Sequence, residues 1–229
     1  MQNIIFAMEN SLTERTEDLY NSLYADGFDI SFEVRKDLVE SGRLEDGNWG
    51  MSPKFVIIAG NNDPAPSALA HELLHIHLFR EGFRPAEFLV KKVHSGSFLF
   101  SEEFMSATNN NIAHFKMVGP FVRMGFHLNQ FFGSGTEAQV DGLKAMVSEV
   151  VLLNHPDHFP NFINAYAVAR LVNQFFSYDL AESMAALEQH DRQLFQICQL
   201  TFDEWIAADD ADNLSFFMSL KARMQTAGE

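Results

Sequence analysis

The spacing of apolar residues differs between the two halves of the chain. In the first half, residues 30–34 alternate apolar and polar side chains and residues 55–59 form a short β-branched run, so both segments predict strands. The glycine-rich stretch 41–51 predicts a loop. Helical spacing and breaker residues predict three helices. The first starts at the capping-box pattern 11–14 and runs to about Tyr24, and the second spans about 67–80. The third runs from 101–103 towards Val118 and ends at Gly119-Pro120.

The second half has helical spacing throughout and no strand pattern. Its predicted helices span 136–154, 159–177, 180–199, 201–208 and 212–226, with a second capping-box pattern at 201–204. We therefore predict an α+β protein, mostly helical, with a small sheet in its first half and an all-helical second half. Gly133-Ser134-Gly135 is the predicted boundary between residues 1–133 and residues 134–229, with the alternative that the two regions pack as one unit.

Composition and charge exclude several classes of protein. Hydrophobic residues make up 47% of the 229 residues, enough for a core without disulfide staples. Lys and Arg number 16 against 31 Asp and Glu, and the net charge of −15 repels phosphate backbones, so nucleic acid is excluded as a direct partner. The single cysteine, Cys198, excludes an internal disulfide and a cysteine-based zinc site, and its apolar helical setting predicts a buried, inert thiol.

No stretch of the chain predicts association with a membrane. Residues 1–8 have no basic segment before their short apolar run, so they do not match a signal peptide. No run approaches the ~18 apolar residues that indicate a membrane-spanning helix. Together with the single cysteine, these features predict a cytoplasmic protein.

The motif that carries chemistry is His71-Glu72-Leu73-Leu74-His75, an HExxH pattern on the predicted helix 67–80. Residues four apart share one face of a helix, so both imidazoles can bind one metal ion. Glu72 lies about 100° around the helix, where it can contact water bound to Zn2+, whose pKa the metal lowers towards ~7. The helix is apolar nearly all round, so these polar groups are expected to be buried and to need a partner. The motif therefore predicts a zinc site with Glu72 as the catalytic general base.

A catalytic zinc usually has three protein ligands and one open position, so a third ligand must come from elsewhere in the chain. The candidates are His94, Glu102, Glu103, His114 and His127. His114 is favoured because it lies on the next predicted long helix, 39 residues after His75, which leaves room for a loop and a returning helix. Glu102 and Glu103 are the main alternatives.

Asn110 and Asn111 precede His114 by four and three residues and therefore share its side of the predicted helix. Three consecutive Asn residues favour a helix poorly, which suggests a local role. Their amides could hold the imidazole or bind a substrate carbonyl, whereas the alternative is that the run is a helix cap. We therefore predict that Asn110 and Asn111 bind substrate.

The buried strand, the turn and the segment Ala68-Leu69-Ala70-His71-Glu72-Leu73-Leu74-His75 resemble the zincin-like fold. Within about residues 28–130 the chain is similar to the ImmA/IrrE group of bacterial and phage metallopeptidases. This resemblance implies a small cytoplasmic zinc protease that acts on a peptide or protein substrate, often a regulatory protein. It places the metal-binding catalytic domain in residues 1–133 and makes 134–229 an additional helical region.

Different functions are compatible with this motif. In a zinc-dependent hydrolase, Glu72 and the open coordination position carry the reaction. In a non-catalytic zinc-stabilised interaction module, the metal closes the fold and the helical second half binds a partner. A helical scaffold without metal is disfavoured by the strand and turn that precede the motif helix.

Overall fold

The structure, a computed structural model, describes residues 12–35, 48–52, 54–59, 65–93, 100–132, 136–153 and 158–227. The strands in these residues are β1 (Ile30–Val34), β2 (Asn48–Ser52) and β3 (Lys54–Ala59). The helices are α1 (Glu14–Ala25), α2 (Pro66–Arg80), α3 (Ala86–Val93), α4 (Glu102–Arg123), α5 (Thr136–Leu153), α6 (His158–Phe175), α7 (Ala181–His190), α8 (Arg192–Ala207) and α9 (Asn213–Ala227). The described chain is mostly helical with a small sheet, which confirms the predicted α+β class.

The chain divides into two compact units, residues 1–80 with 117–136 and residues 81–116 with 137–229. Helix α4 begins in the second unit, and its last turns, from Met117 onwards, belong to the first. The predicted boundary at residues 133–135 lies outside the described residues. The division into residues 1–133 and 134–229 therefore stays a prediction.

The sheet of the first unit has three strands in the order β1-β3-β2. β1 runs parallel to β3, with Ile30 opposite Phe55, whereas β2 runs antiparallel to β3. The prediction of a loop at 41–51 is therefore wrong for residues 48–51, and residues 41–47 lie outside the described part of the chain. β2 carries Gly50 and no clear alternation, so its extended form depends on pairing with β3 and not on local preference.

Helices α1 and α2 pack on each other, and α2 also packs on the central strand. Their shared core consists of the apolar residues Leu23, Ile30, Phe32, Ile57, Leu69, Leu73 and Ile76. Ala70 and Leu74, on another side of α2, are buried as well. The predicted helix 67–80 is confirmed, and its burial on several sides places the HExxH motif in the interior.

The N-cap of helix α1 lies two residues after the predicted capping residue. Thr13 is the N-cap, and its hydroxyl accepts a hydrogen bond from the backbone N–H of Thr16. The hydroxyl oxygen of Thr16 in turn accepts from the backbone N–H of Thr13 at 2.7 Å, which completes a capping box. Ser11, the predicted cap, lies outside the described residues.

Helix α4 continues through Gly119-Pro120, so the predicted end at this pair is wrong. Pro120 removes its own N–H from the helix, and a proline ring also crowds the carbonyl four residues earlier. The next residue, Phe121, is fully buried and its ring lies 5.2 Å from that of Phe131, so packing keeps the last turn helical. The helix ends before Gly125, which has a φ of 87° and donates its N–H to the Val122 carbonyl at 2.9 Å.

The second unit contains α3, the first part of α4 and α5–α9 around an aromatic core. The core rings in mutual contact are Phe115, Tyr166, Phe202, Trp205 and Phe216. Trp205 also donates its indole N–H to the Ile112 carbonyl at 3.2 Å, which ties α8 to α4. Helix α3 had no predicted counterpart.

The predicted helix 180–199 is divided in the structure at Asp191. The Asp191 side chain accepts from the backbone N–H of Leu194 at 2.9 Å and so caps α8. The capping-box pattern at 201–204 therefore lies inside α8, where the Thr201 hydroxyl donates to the Ile197 carbonyl at 2.8 Å. Among the described residues, no helix combines the length and apolar character that crossing a membrane requires.

Candidate metal centre

The two motif histidines lie one turn apart on α2 and approach each other closely. Their ring centroids are 5.0 Å apart, and the Nε2 atoms of His71 and His75 are separated by 3.2 Å. The i and i+4 spacing on one helix face produces this approach. Two imidazoles with facing Nε2 atoms can share one metal ion.

His114 joins this pair from α4. One ligand atom from each of His71, His75 and His114 lies within 4.8 Å of the others. His75 and His114 are 4% and 6% exposed, whereas His71 is intermediate. The structure therefore brings together the two motif histidines and the favoured third ligand as a buried group that could hold a metal ion.

Burial makes His71 suited to metal binding. It lowers the pKa of His71 to about 4, because the charged ring is poorly solvated there. The ring is therefore neutral at pH 7, the form in which imidazole coordinates a metal. A set of three imidazole ligands suits zinc and several other transition metals.

Glu72 lies between the two histidines in sequence and is buried, at 7% exposure. Burial raises the pKa of its carboxyl group well above the ordinary value. Its Oε2 atom has no hydrogen-bond partner among the described residues. A buried carboxylate oxygen needs a donor or a cation, so this oxygen fits a site that receives a metal ion and its water.

Phe131 is a residue of this centre that the sequence analysis missed. Its ring centroid lies 4.7 Å from that of His71, and its backbone opposes the lowering of the His71 pKa. Phe131 follows the 3₁₀ turn Leu128–Gln130, 60 residues after His71 in sequence. No local pattern connects the two positions, because the contact depends on how the chain returns after α4.

Of the other candidate ligands, those that the structure describes do not belong to the three-histidine group. Glu102 and Glu103 are exposed in the first turn of α4, roughly 16–18 Å from His114 along the helix axis. His127 is exposed just before the 3₁₀ turn. His94 lies outside the described residues.

The two predicted substrate-binding residues have different settings. Asn110 is exposed on α4, whereas Asn111 is partly buried and donates from its amide nitrogen to the side-chain oxygen of Asn164 at 3.1 Å. The Thr108 hydroxyl donates to the same oxygen at 3.0 Å. Asn111 thus attaches α4 to α6, and substrate binding by either residue stays a prediction.

Asn109, the first residue of the Asn run, is part of a second buried polar cluster. Its side-chain oxygen accepts from the amide of Asn213 at 2.6 Å. Asn213 also pairs with both backbone groups of Arg84, accepting from its N–H at 2.7 Å and donating to its carbonyl at 2.8 Å. Asn109 and Asn111 are therefore tolerated in α4 because their amides connect it to neighbouring segments.

Comparison of the chain with known protein families, with curated proteins and with solved structures finds no match.

Proposed function

We propose that this protein is a zinc-dependent hydrolase of the metallopeptidase class. The observation that carries the proposal is the convergence of His71, His75 and His114 beside the buried Glu72. Three histidines with a neighbouring glutamate provide the ligand set and the base of a hydrolytic zinc site. A zincin-like fold and a relationship to the ImmA/IrrE group are parts of this proposal, and they rest on the motif helix and the strand that precedes it.

In the proposed reaction, the three histidines and Glu72 have separate roles. When bound, zinc supplies Lewis-acid polarisation of a carbonyl group and a water of lowered pKa. The three histidines would hold the ion through one ring nitrogen each. Glu72 would accept a proton at its carboxylate and return it to the leaving amine of a peptide substrate.

Metal content of the purified protein is the first test. We expect about one zinc ion per chain in wild-type protein handled without chelators, and none in a His71→Ala variant. His190→Ala, which changes a histidine of α7 outside the group, is the matched control and should keep its zinc. Wild-type protein that holds no zinc and takes up none on addition would exclude the proposed centre.

Turnover tests the role of Glu72 separately from metal binding. We expect Glu72→Gln to abolish cleavage of a quenched-fluorescence peptide library while the zinc content stays at the wild-type level, because the amide cannot accept the proton. Glu87→Gln changes an exposed carboxylate of α3 and should cleave like wild type. Cleavage at the wild-type rate by Glu72→Gln would contradict its assignment as the base.

A second candidate function is a non-catalytic module in which zinc stabilises the fold. The burial of His75, His114 and Glu72 favours it, because a catalytic metal must be reached by substrate. This function predicts bound zinc, no cleavage of any library peptide, and wild-type behaviour of Glu72→Gln. Peptide cleavage that is detectable with wild-type protein and absent with Glu72→Gln would support the hydrolase and contradict the non-catalytic module.

A further inference from the structure

We propose that the exposed face of α3 is a docking surface for an acidic peptide segment that carries an apolar side chain between its carboxylates. The inference goes beyond the proposed hydrolase and does not depend on the metal centre. The surface, called the basic face below, consists of Arg84, just before the helix, with Phe88, Lys91 and Lys92.

The packing of α3 determines which of its sides is exposed. Leu89 and Val93, four residues apart on one side of the helix, are fully buried, and α3 packs on α9. The Phe88 ring is 36% exposed, and the three cations of the basic face are exposed as well. Burial of one side therefore fixes the side that a partner can contact.

Two cations of the basic face lie over the Phe88 ring. Cζ of Arg84 is 5.7 Å from the ring centroid, and Nζ of Lys92 is 5.9 Å from it. Cation–π attraction holds flexible cationic side chains near an aromatic ring in this way. The result is positive charge beside an exposed apolar ring, a combination that suits a ligand with both carboxylate and apolar groups.

The cations of the basic face lack acidic partners, unlike several other cations of the protein. Within the described residues, no carboxylate forms an ion pair with Arg84, Lys91 or Lys92, although the chain has 31 acidic residues against 16 basic ones. Arginines elsewhere in the described chain do form such pairs, namely Arg35, Arg80, Arg170, Arg192 and Arg223. The charge of the basic face is therefore available to a ligand.

The surroundings of α3 add to this positive charge. Lys221 of α9 donates to the Val93 carbonyl at 2.6 Å, which places another ammonium group at the C-terminal end of α3. Glu87 is the single acidic residue of α3. The local charge is therefore positive on a protein whose net charge is −15, and an acidic partner is attracted to this surface in preference to the rest.

The spacing of the cations predicts the pattern of the ligand. Because both lie near one ring centroid, the head groups of Arg84 and Lys92 span at most about 12 Å, the length of roughly four residues of extended chain. Alternate side chains share one face of an extended peptide. A segment with the pattern Glu-x-Phe-x-Glu therefore presents two carboxylates to the cations and one ring to Phe88.

Fluorescence anisotropy with a labelled peptide of this pattern tests the inference. We expect saturable binding that weakens as salt is added, because exposed charges are screened. The matched peptide Gln-x-Phe-x-Gln should bind at least about tenfold more weakly, since it has no carboxylates to pair with the cations. Equal binding of the two peptides, or no binding of either, would overturn the inference. Binding to vesicles of anionic lipid without binding to the peptide would overturn it in favour of a membrane.

Paired variants test whether the peptide binds at the basic face. We expect Lys92→Glu to weaken binding of the acidic peptide by about 3- to 10-fold, because an attractive charge becomes repulsive. Lys144→Glu makes the same change at an exposed lysine of α5 and should leave binding unchanged. Phe88→Ala should weaken binding by about 2- to 10-fold, with Leu152→Ala, an exposed leucine of α5, as its control.

Equal effects within each pair of variants would show that the peptide binds elsewhere, which would contradict the inference. The measured quantity is the Kd of the peptide, and it should be the same in wild-type protein and in His71→Ala. Failure of the zinc proposal therefore leaves this test unchanged, and failure of peptide binding leaves the zinc proposal unchanged.

Discussion

Burial changes the pKa values, and therefore the reactivity, of single side chains in this protein. His71 is neutral at pH 7 and Glu72 has a raised pKa because both lose water of solvation. The same cause has the opposite chemical result at Cys198, where burial raises the thiol pKa and suppresses the reactive thiolate. Burial therefore makes the histidine available to a metal and makes the cysteine inert.

His114 is the residue whose role the sequence left most open. We expect His114→Ala to reduce zinc affinity by more than the roughly 10- to 100-fold that loss of an outer residue produces, because a direct ligand is lost. Chelator competition on metal-loaded protein would measure the change. Asn110→Ala, one turn earlier on α4, is the control for zinc affinity, and a raised KM in this variant alone would support its predicted contact with substrate.

Cys198 provides a test of burial in α8. Because its thiol is buried and its pKa is raised, we expect no reaction with an aromatic disulfide reagent in native protein at pH 8. Reaction should be complete within minutes once the protein is unfolded in guanidinium chloride. Since the chain has a single cysteine, labelling followed by mass spectrometry reports on this site alone. Rapid labelling in native buffer would show that α8 is not packed as described.

At the scale of elements, α4 depends on contacts at its C-terminal end. Arg15, in the first turn of α1, donates from Nη1 to the Arg123 carbonyl at 2.8 Å. Its guanidinium brings positive charge to the end of α4, where the helix dipole and unpaired carbonyls favour a cation. The glycine at 125 permits this approach, because a Cβ there would lie 2.6 Å from Nη1 of Arg15.

Replacement of Gly125 by alanine should therefore destabilise the protein. We expect a loss of about 1–2 kcal/mol in the free energy of unfolding, because an alanine at a φ of 87° is strained, with a further loss as Arg15 moves away. Urea unfolding followed by circular dichroism would measure the difference. Gly142→Ala, in α5 with nothing within 4 Å of the added Cβ, should instead be neutral or slightly stabilising. Equal free energies of unfolding for the two variants would contradict the described role of Gly125 at the C-terminal end of α4.

The elements that the sequence predicted well have strong local signals. α2 has an apolar run bounded by a proline-rich turn and Gly82, and β1 has clear alternation. The failures have equally specific causes. β2 needs β3 as a partner, α4 passes Pro120 because Phe121 is buried, and Asp191 divides a segment whose apolar spacing is continuous.

At the scale of the whole molecule, a metal ion held by α2 and α4 would add to the stability of the folded chain. Ligands that bind only the folded state stabilise it by an amount that grows with free ligand concentration, about 4 kcal/mol at 1,000 times the Kd. His114 lies 39 residues after His75, so the unfolded chain would bind zinc weakly. Metal loading and thermal stability should therefore be coupled.

Removal of the metal tests this coupling. We expect chelation to lower the Tm by roughly 8–16 °C relative to protein saturated with zinc, given the usual change of roughly 2–4 °C per kcal/mol for a chain of this size. Addition of zinc should restore the Tm, and the shift should be absent in His71→Ala. Differential scanning calorimetry provides the measurement. A Tm that does not respond to zinc in wild-type protein would speak against both the hydrolase and the zinc-stabilised module.

The sequence by itself determined the α+β class, the motif helix and the place of two histidines and a glutamate on it. These features depend on residues within one helix or strand, where periodicity and capping act over a few positions. Only the tertiary structure decided that His114, and not Glu102 or Glu103, approaches the motif, and that Phe131 contacts His71. Those contacts join residues 39 and 60 positions apart, and the path of the chain between them, not a local pattern, brings them together.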